Sequence, residues 1–332
     1  MRKQITGVER YAHELVTRLE SRCKLKVAYP DKDSTLHAHL WVQTGLRKFA
    51  EDARASAVFC PVMDVPLFLS RKIKIVTTIH DLAFLRHPDL YSWKYNAYYK
   101  RVLPLIVSRA DAIICISELE RNNIAQYFPK AKNKLHVVYH GISSKFRVDM
   151  PKKKIILVVA AQNKHKNIVR LLQAFERVMH LIPHQLVLIG SSRSVISTDF
   201  LAEKMIGRLS SSGRFLATGY LPEEDLLRQY GESEIFAFPS LFEGFGFPPL
   251  EAMSAGCAVV SSGSSVMPEI YGDAAIYFNP NSLDDIANKL VRMATDKKLR
   301  DSLIPIGRAR AGKFTWDRTV DETLSVIQST LG

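Results

Sequence analysis

Short apolar runs rich in β-branched residues alternate with helix-length amphipathic stretches along this chain of 332 residues. The alternation occurs in two series, which meet near residue 150. Strands that alternate with helices are typical of parallel sheets covered by helices, because a parallel crossover needs a helix-length connection. The chain exceeds the usual size of one hydrophobic core, so we expect two α/β domains.

Each series predicts a sheet of its own. The predicted strands of the first series span residues 25–29, 57–60, 73–79, 112–116 and 135–138. Those of the second series span residues 154–160, 185–189, 214–218, 235–238, 258–261 and 274–278. Six strands fit one doubly wound domain.

The N-terminus departs from this scheme. A doubly wound domain normally opens with a strand, whereas here a helical pattern begins near Val8. We therefore expect the first strand to be missing, or reduced to a stub in residues 1–5. The polar segment 143–154 contains Pro151 and is the predicted linker. The predicted domains are residues 1–148 and 149–315, followed by a helix in 316–332.

Positive charge is concentrated in the first half of the chain. Residues 1–150 contain 25 Lys and Arg against 14 Asp and Glu, a net charge of +11 out of +13 for the whole chain. A basic surface attracts phosphates of nucleic acid, anionic lipid or a lipid-linked diphosphate. No nucleic-acid recognition motif is present, so we expect no nucleic-acid partner. Without a membrane-length apolar stretch or a secretory signal, we expect a cytoplasmic protein, with the inner face of the membrane as a possible location.

The most informative segment, residues 238–251, reads Phe-Pro-Ser-Leu-Phe-Glu-Gly-Phe-Gly-Phe-Pro-Pro-Leu-Glu. It leaves a buried strand, passes through a glycine-rich turn and enters a helix, and ligands bind at such strand ends. Gly244 and Gly246 would let the backbone approach a ligand, and N–H groups at the helix start can bind anionic oxygens. Glu243 and Glu251 could accept hydrogen bonds from sugar hydroxyls, with helix capping as the alternative.

On these residues the chain resembles the family 4 retaining glycosyltransferases (glycosyl transferases group 1) of GT-B fold, over nearly its whole length. The motif of that family has two glutamates within a Pro-Ser, Glu-Gly-Phe-Gly, Glu-Ala-Met context, found here at 239–240, 243–246 and 251–253. The resemblance implies two Rossmann-like doubly wound domains facing a cleft, with the C-terminal helix crossing back onto the first. It also implies hexosyl transfer from a nucleotide diphosphate sugar, with retention of the anomeric configuration.

The resemblance also implies roles for the residues of the glycine-rich turn. Glu243 and the backbone amides around Gly244, Phe245 and Gly246 would contact the transferred sugar. Glu251 would bind the ribose hydroxyls of the nucleotide.

Two further loops of the second domain match the family. The segment 164–167, Lys-His-Lys-Asn, resembles an Arg-Lys-Asn element that holds the donor diphosphate. Lys166 would neutralise the leaving diphosphate, as a divalent metal does elsewhere, and Lys164 would add a second cation. Solvated loop lysines are the alternative. Gly219, Tyr220 and Leu221 match a loop whose main chain lines the nucleotide base, although Tyr220 could simply pack.

In the first domain, His80 and Asp81 end a buried strand, where the family has a His-Asp pair. By resemblance, His80 would point at the donor sugar near the reaction centre, and Asp81 would orient nearby groups or the acceptor. A buried, hydrogen-bonded structural histidine is the alternative. Gly7 lies in a segment that resembles the acceptor-side loop of the family.

No metal or cofactor is expected. Asp31-Lys32-Asp33 is similar to an Asp-x-Asp metal motif, but a solvated turn is the favoured interpretation. The expected donor is GDP-mannose or a UDP-hexose, used as a co-substrate. The expected acceptor is a glycan or a polyprenyl-diphosphate-linked saccharide in polysaccharide synthesis. A GT-B nucleotide-sugar epimerase, an inactive nucleotide-sugar-binding protein and a nucleic-acid binder are the rival hypotheses.

Residues 91–101, Tyr-Ser-Trp-Lys-Tyr-Asn-Ala-Tyr-Tyr-Lys-Arg, interleave aromatic and cationic side chains. This mixture suits a membrane interface or a lipid phosphate, and peripheral contact with an anionic membrane is one interpretation. A packed helix with solvated cations is the other.

Overall fold

The computed structural model of the protein describes residues 7–30, 34–161, 163–190 and 200–332. The Asp31-Lys32-Asp33 segment and residues 1–5, where a strand stub was considered, lie outside the described residues. Contacts along the chain define two compact units: Met1–Gly141 with Thr315–Gly332, and Ile142–Phe314.

The first unit is built on a parallel sheet of four strands, in the order β1-β2-β3-β4. The strands are Ala57–Cys60 (β1), Lys74–Ile79 (β2), Ala112–Cys115 (β3) and Leu135–Val137 (β4). The central strand β3 is apolar and buried along its whole length, and β2 is buried from Ile75 onward, including the side chains of Thr77 and Thr78. Val76 lies opposite Ala112 in the register of β2 and β3.

The first unit also contains α-helices, most of which bury apolar side chains. They are Gly7–Leu19 (α1), Thr35–Trp41 (α2), Arg47–Asp52 (α3), Ala83–Arg86 (α4), Trp93–Arg109 (α5) and Glu118–Tyr127 (α6). In α1 the buried side chains are Tyr11, Leu15 and Leu19, four residues apart, as expected for one face of a helix. The Ser92 hydroxyl caps α5 by accepting from the Tyr95 N–H at 3.3 Å.

The predicted strand at residues 25–29 is wrong. This segment has no regular secondary structure, and the described residues before Ala57 contain no strand. Its alternation of apolar and polar residues resembles that of a strand, but Leu25 and Val27 are only half-buried, and Tyr29 is exposed. An extended segment becomes a strand only when a neighbour satisfies its backbone hydrogen bonds, and alternation alone does not supply that neighbour.

The second unit contains a six-stranded parallel sheet in the order β10-β9-β8-β5-β6-β7. Its strands are Lys153–Val159 (β5), Gln185–Ile189 (β6), Phe215–Gly219 (β7), Ser233–Phe238 (β8), Ala258–Ser262 (β9) and Ala275–Phe278 (β10). Its helices are Ile168–Val178 (α7), Phe200–Ser210 (α8), Glu223–Glu232 (α9), Phe247–Ser254 (α10), Met267–Tyr271 (α11), Leu283–Thr295 (α12) and Lys297–Ala311 (α13). The six predicted strands are confirmed. The central strands β8 and β9 are buried almost throughout, whereas the edge strand β7 is mostly half-buried.

The C-terminal helix, Trp316–Leu331 (α14), belongs to the first unit. Val326 packs in a cluster with Val76 and Ile114 of the first sheet. The Thr319 hydroxyl donates to the Tyr139 carbonyl oxygen at 2.8 Å. The chain therefore returns to its first unit after the second is complete.

The boundary between the units lies earlier than the predicted one at residue 148. The segment predicted as a linker, 143–154, belongs to the second unit, because Phe146 is buried with its ring 5.3 Å from that of Tyr230. The Ile142 N–H also donates to the Phe314 carbonyl oxygen at 3.0 Å. The polar composition of this segment suggested a linker, but the buried Phe146 anchors the segment in the second unit.

Candidate active site

The strand order of the second sheet places β5 beside β8, and the crossovers that follow these two strands lead to opposite sides. In doubly wound sheets, ligands bind at this switch point, outside the carboxyl ends of the strands. The two loops that leave β5 and β8 are joined there, since the Leu241 N–H donates to the His165 carbonyl oxygen at 2.7 Å. Asn167 also donates from Nδ2 to the Pro239 carbonyl oxygen at 3.2 Å.

The two loops bring Lys166 and Glu243 together. Lys166 Nζ lies 2.7 Å from Glu243 Oε1, and the side chains are only 20% and 14% exposed. Asn167, with a left-handed φ of 56°, ends the short turn that carries Lys166 and begins α7. The Ser265 hydroxyl donates to the Glu243 carbonyl oxygen at 3.0 Å, and this bond holds the backbone of Glu243 in place. Lys164 begins the same turn and is exposed.

Gly246 makes the turn between β8 and α10 possible. Its φ of 85° is left-handed, and a Cβ atom there would lie 2.2 Å from the Tyr271 hydroxyl oxygen. That hydroxyl donates to the Gly246 carbonyl oxygen at 2.9 Å. Phe245 is buried, and its ring lies 5.7 Å from that of Phe314. The backbone from Gly244 to Gly246 is therefore held by packing on both sides.

The start of α10 is a poorer source of N–H donors than expected. Its first three residues are Phe247, Pro248 and Pro249, and proline has no N–H group. Backbone donors at this point come from the turn residues Gly244 to Phe247 instead.

Glu251 lies one turn further along α10 and is only 5% exposed. Its Oε2 accepts a hydrogen bond from the Tyr230 hydroxyl at 2.9 Å, and Tyr230 is fully buried. Tyr230 was missed in the sequence because a tyrosine in α9 gives no signal of its long-range partner.

Two more polar atoms at these strand ends were missed. Asn163 follows β5 and Ser240 follows β8, and both residues are buried. Among the described parts of the chain, no group forms a hydrogen bond with Asn163 Oδ1 or Ser240 Oγ. Buried polar atoms nearly always have partners, so these two are suited to contact a polar ligand.

The predicted base-binding loop lies two strands away from the switch point. Gly219 ends β7 with a left-handed φ of 71°, and its carbonyl oxygen accepts from the Gly190 N–H at 2.9 Å. Tyr220 is 60% exposed and Leu221 is half-buried, so most of the Tyr220 side chain faces solvent. At about 4.8 Å per strand, this loop is about 10 Å along the sheet edge from β5, a distance that a nucleotide can span.

In the first unit, His80 is held among aromatic rings at the end of β2. Its Nε2 lies 2.9 Å from the Pro61 carbonyl oxygen, and because a carbonyl only accepts, Nε2 carries the proton. The Tyr11 ring meets the His80 ring edge-on at 5.0 Å, and the His140 ring lies 5.5 Å away. Burial lowers the pKa of His80 to about 4, so the imidazole is neutral at pH 7.

Gly7, the first residue of α1, is exposed. It lies one turn before Tyr11, whose hydroxyl is hydrogen-bonded to Thr78 Oγ1 at 2.9 Å. Gly7 and His80 are therefore connected through Tyr11. Lys166, Glu243 and the glycine-rich turn lie together in the second unit.

The loop after His80 is held by a buried carboxyl group that the sequence did not reveal. Asp81 Oδ1 accepts from the Ala83 N–H at 2.9 Å, and Glu120 Oε2 accepts from the Leu82 N–H at 3.3 Å. Glu120 is 3% exposed, and burial together with the neighbouring Asp81 charge raises its pKa to about 7.

The raised pKa of Glu120 predicts that stability falls as pH rises from acidic to neutral values. The folded state keeps this proton up to about pH 7, whereas the unfolded chain loses it near 4.5, the ordinary pKa of a glutamate, so stability falls as pH rises between the two. We expect Glu120→Gln to remove about 2 kcal/mol of the wild-type decrease in unfolding free energy between pH 5 and pH 8. Urea denaturation of both proteins at the two pH values measures this, and equal decreases would contradict it.

Comparison with known proteins agrees with this geometry. A profile described as glycosyl transferases group 1 matches residues 143–310, and one described as Glycosyltransferase Family 4 matches residues 5–146. The chain belongs to the glycosyl transferases group 1 family. The predicted family is thus confirmed, and with it the assignment as a glycosyltransferase.

Several curated relatives of this glycosyltransferase are mannosyltransferases by name. O-antigen chain mannosyltransferase B of Escherichia coli is 28% identical over 268 residues, which cover 77% of this chain and 70% of the relative. The serotype-specific mannosyltransferase WbdA of Escherichia coli is 29% identical over 269 residues, 74% of this chain. The match spans only 32% of WbdA, about a third of its length.

Solved structures show the fold. The sucrose-phosphate synthase of Thermosynechococcus elongatus matches 98% of this glycosyltransferase and 93% of its own chain, with a TM-score of 0.77 and 18% identity. HepE of Anabaena in complex with UDP matches 98% of this glycosyltransferase and 97% of its own chain, with a TM-score of 0.76 and 16% identity. The predicted GT-B fold is confirmed.

Proposed function

We propose that this glycosyltransferase transfers a hexosyl unit, in the first instance mannosyl, from a nucleotide diphosphate sugar to a glycan or a polyprenyl-diphosphate-linked saccharide. The names of the relatives support a role in cell-surface polysaccharide synthesis. The observation that carries the proposal is the Lys166–Glu243 pair at the switch point of the second sheet.

An exchange of partners would bind the donor. The diphosphate is a stronger anion than one carboxylate, so it would take Lys166 Nζ from Glu243 and accept N–H bonds from the glycine-rich turn. Glu243 would then be free to accept a hydrogen bond from a sugar hydroxyl. Asn163 Oδ1 and Ser240 Oγ are further polar atoms suited to contact the sugar or the phosphates.

The transfer step follows from this placement. As the bond between the anomeric carbon and the β-phosphate oxygen breaks, negative charge grows on the nucleoside diphosphate, and Lys166 stabilises it. The acceptor hydroxyl attacks from the same face and its proton passes to a donor phosphate oxygen, so that the configuration is retained. Neutral His80 would contact the donor sugar. This route needs no divalent metal, and the described residues contain no cluster of three or more His, Cys, Asp or Glu arranged to hold one.

The donor we propose is GDP-mannose, with a UDP-hexose second. Mannosyltransferase names among the relatives favour mannose. HepE was solved with UDP and with UDP-glucose, and we therefore propose a UDP-hexose as the second candidate donor. Main-chain groups of Gly219, Tyr220 and Leu221 would face the base, and such groups discriminate little between bases.

We also propose that the enzyme acts in the cytoplasm at the inner face of the membrane, through peripheral contact with anionic lipid. Within the described residues no helix combines the length and the apolar character that crossing a bilayer requires. The excess of basic residues in the first half supports an electrostatic contact with lipid phosphates.

Acceptor-dependent nucleotide release tests the proposed reaction. Purified protein is incubated with labelled GDP-mannose or UDP-glucose, with and without a mannose-terminated or polyprenyl-diphosphate-linked saccharide. We expect nucleoside diphosphate and glycosylated product only when an acceptor is present. Conversion of the donor sugar without acceptor would indicate an epimerase, and donor binding without turnover an inactive binding protein. Either result would overturn the proposal.

Glu251→Gln is expected to weaken binding of a nucleoside diphosphate about tenfold. A carboxylate that accepts hydrogen bonds from two ribose hydroxyls contributes about 1.5–3 kcal/mol, part of which an amide retains. Calorimetric titration with GDP and UDP measures the change. Tyr230→Phe is the matched control, because it removes the hydrogen bond to Glu251 Oε2 and keeps the carboxylate. Equal affinities in wild type and Glu251→Gln would contradict the ribose assignment.

A further inference from the structure

Helix α5 has an outward face that the proposed reaction does not use. Trp93, Ala97, Arg101 and Leu105 are spaced four residues apart and lie on one side of the helix. Trp93 is 74% exposed and Leu105 is 54% exposed. At 1.5 Å per residue, the stripe is about 18 Å long.

The inner face of α5 explains the other aromatic residues of this segment. Tyr95 and Tyr99 pack against Phe84, with ring centroids 5.9 Å and 5.6 Å from it. The Tyr91 ring stacks on that of Tyr95 at 5.2 Å. The core therefore accounts for these tyrosines, as the packed-helix interpretation expects, and it leaves the exposure of Trp93 unexplained.

Positive charge accompanies the exposed tryptophan. The 17 residues of α5 include Lys94, Lys100, Arg101 and Arg109 and no acidic residue. Arg109 is buried and bonded to Asp111, whereas the other three cations are exposed. Lys94 Nζ lies 5.8 Å from the centroid of the Trp93 ring.

A shallow concavity of about 470 Å³ lies on this face, lined by Trp93, Asn96, Ala97, Lys100 and Arg101. Asn96 is 9% exposed and donates from Nδ2 to the Pro88 carbonyl oxygen at 2.8 Å. Among the described residues, none donates a hydrogen bond to Asn96 Oδ1. A buried amide oxygen without a donor, next to two cations, suits a ligand that carries both a negative charge and a hydroxyl group.

We propose that the α5 surface, defined by Trp93, Asn96, Ala97, Lys100, Arg101 and Leu105, binds the headgroups of an anionic membrane. Lys100 and Arg101 contact the phosphodiester, and Asn96 Oδ1 accepts from a headgroup hydroxyl. Trp93 and Leu105 enter the interface between headgroups and acyl chains, as amphipathic helices do. The inference rests on the proposed function in that it names the surface for the membrane contact, and it does not depend on the donor site.

Vesicle binding tests the surface in the full-length protein. We expect binding to phosphatidylcholine vesicles that contain phosphatidylglycerol, and almost none to phosphatidylcholine alone. Each cation near an anionic surface contributes about a fivefold change in partition, so Lys100→Gln with Arg101→Gln should weaken binding about 25-fold. Lys297→Gln with Lys298→Gln is the matched control, because it removes two adjacent exposed cations from the second unit. Its affinity should stay close to that of wild type.

Further arms identify the ligand. Phosphatidylmethanol has the same charge without hydroxyls, so it should bind more weakly than phosphatidylglycerol if Asn96 accepts from the headgroup. Trp93 fluorescence should shift to the blue on binding, and Trp93→Phe should abolish the shift. Equal binding by the wild type and the Lys100→Gln, Arg101→Gln variant would overturn the proposal.

A separate assay measures sugar transfer. Nucleotide release with a soluble saccharide acceptor should be unchanged in the Lys100→Gln, Arg101→Gln variant. Loss of vesicle binding with full transfer would support the α5 surface, whatever the donor proves to be. Vesicle binding that survives in this variant overturns only the surface, and leaves the proposed reaction in place.

Discussion

Replacing Lys166 with methionine is expected to lower kcat/KM for sugar transfer about 10²–10³-fold, the effect of losing about 3–4 kcal/mol of electrostatic stabilisation in a transition state. Lys166 Nζ is placed at the switch point by the loop after β5, and its ion pair with Glu243 shows that an anion is held there. Methionine keeps the length and apolar stem of the side chain but removes the charge. Steady-state release of nucleoside diphosphate measures the loss.

The matched control for Lys166 is Lys154→Met. Lys154 is the second residue of β5, at the amino end of that strand, and its Nζ lies 3.0 Å from Glu234 Oε1. The Lys154→Met variant therefore loses an ion pair far from the switch point, and we expect its kcat/KM to stay within a few-fold of wild type. Lys164→Met separates the second proposed cation from the first. Wild-type activity in Lys166→Met would remove Lys166 from the mechanism.

Gly246→Ala is expected to lower the free energy of unfolding by about 2–4 kcal/mol, combining the cost of a left-handed alanine with overpacking against Tyr271. The added Cβ would approach the Tyr271 hydroxyl oxygen to 2.2 Å, so the turn or α11 must shift. Because the same turn supplies backbone amides to the proposed donor site, donor affinity should fall as well. Urea denaturation and calorimetric titration measure the two effects.

Two variants separate the causes. Gly219→Ala places alanine at a similar φ of 71° with nothing within 4 Å of its Cβ, so it should cost only about 1 kcal/mol. Tyr271→Phe removes the hydroxyl, and the double variant with Gly246→Ala should therefore lose less stability than the two single changes added together. Exact additivity, or equal losses at Gly219 and Gly246, would show that the contact with Tyr271 does not matter.

The second unit was largely predictable from sequence. Each of its strands contains a short apolar run, and helices alternate with these strands along the chain, so local pattern and final fold agree. The switch point then brings together Lys166 and Glu243, which are far apart in sequence. Their roles came from the resemblance to the family, whereas their contact follows from the strand order.

The sequence-based predictions that were wrong or incomplete share a physical cause. The segment 25–29 alternates like a strand, yet it pairs with no strand among the residues that the structure describes. The segment 143–154 is polar yet anchored by Phe146. Tyr230 and Glu120 act through partners that no local pattern reveals. Which residues pair, and which are buried, depends on the whole folded chain. A single sequence therefore predicts such contacts only where it contains a known family motif.

The central claim is that the switch point of the second sheet binds the diphosphate of an activated sugar. A crystal structure of the protein in complex with GDP tests this most directly. The account predicts the β-phosphate within hydrogen-bond distance of Lys166 Nζ and of the backbone between Gly244 and Phe247, with the ribose hydroxyls on Glu251. Phosphate density elsewhere, with Lys166 still paired to Glu243, would contradict it.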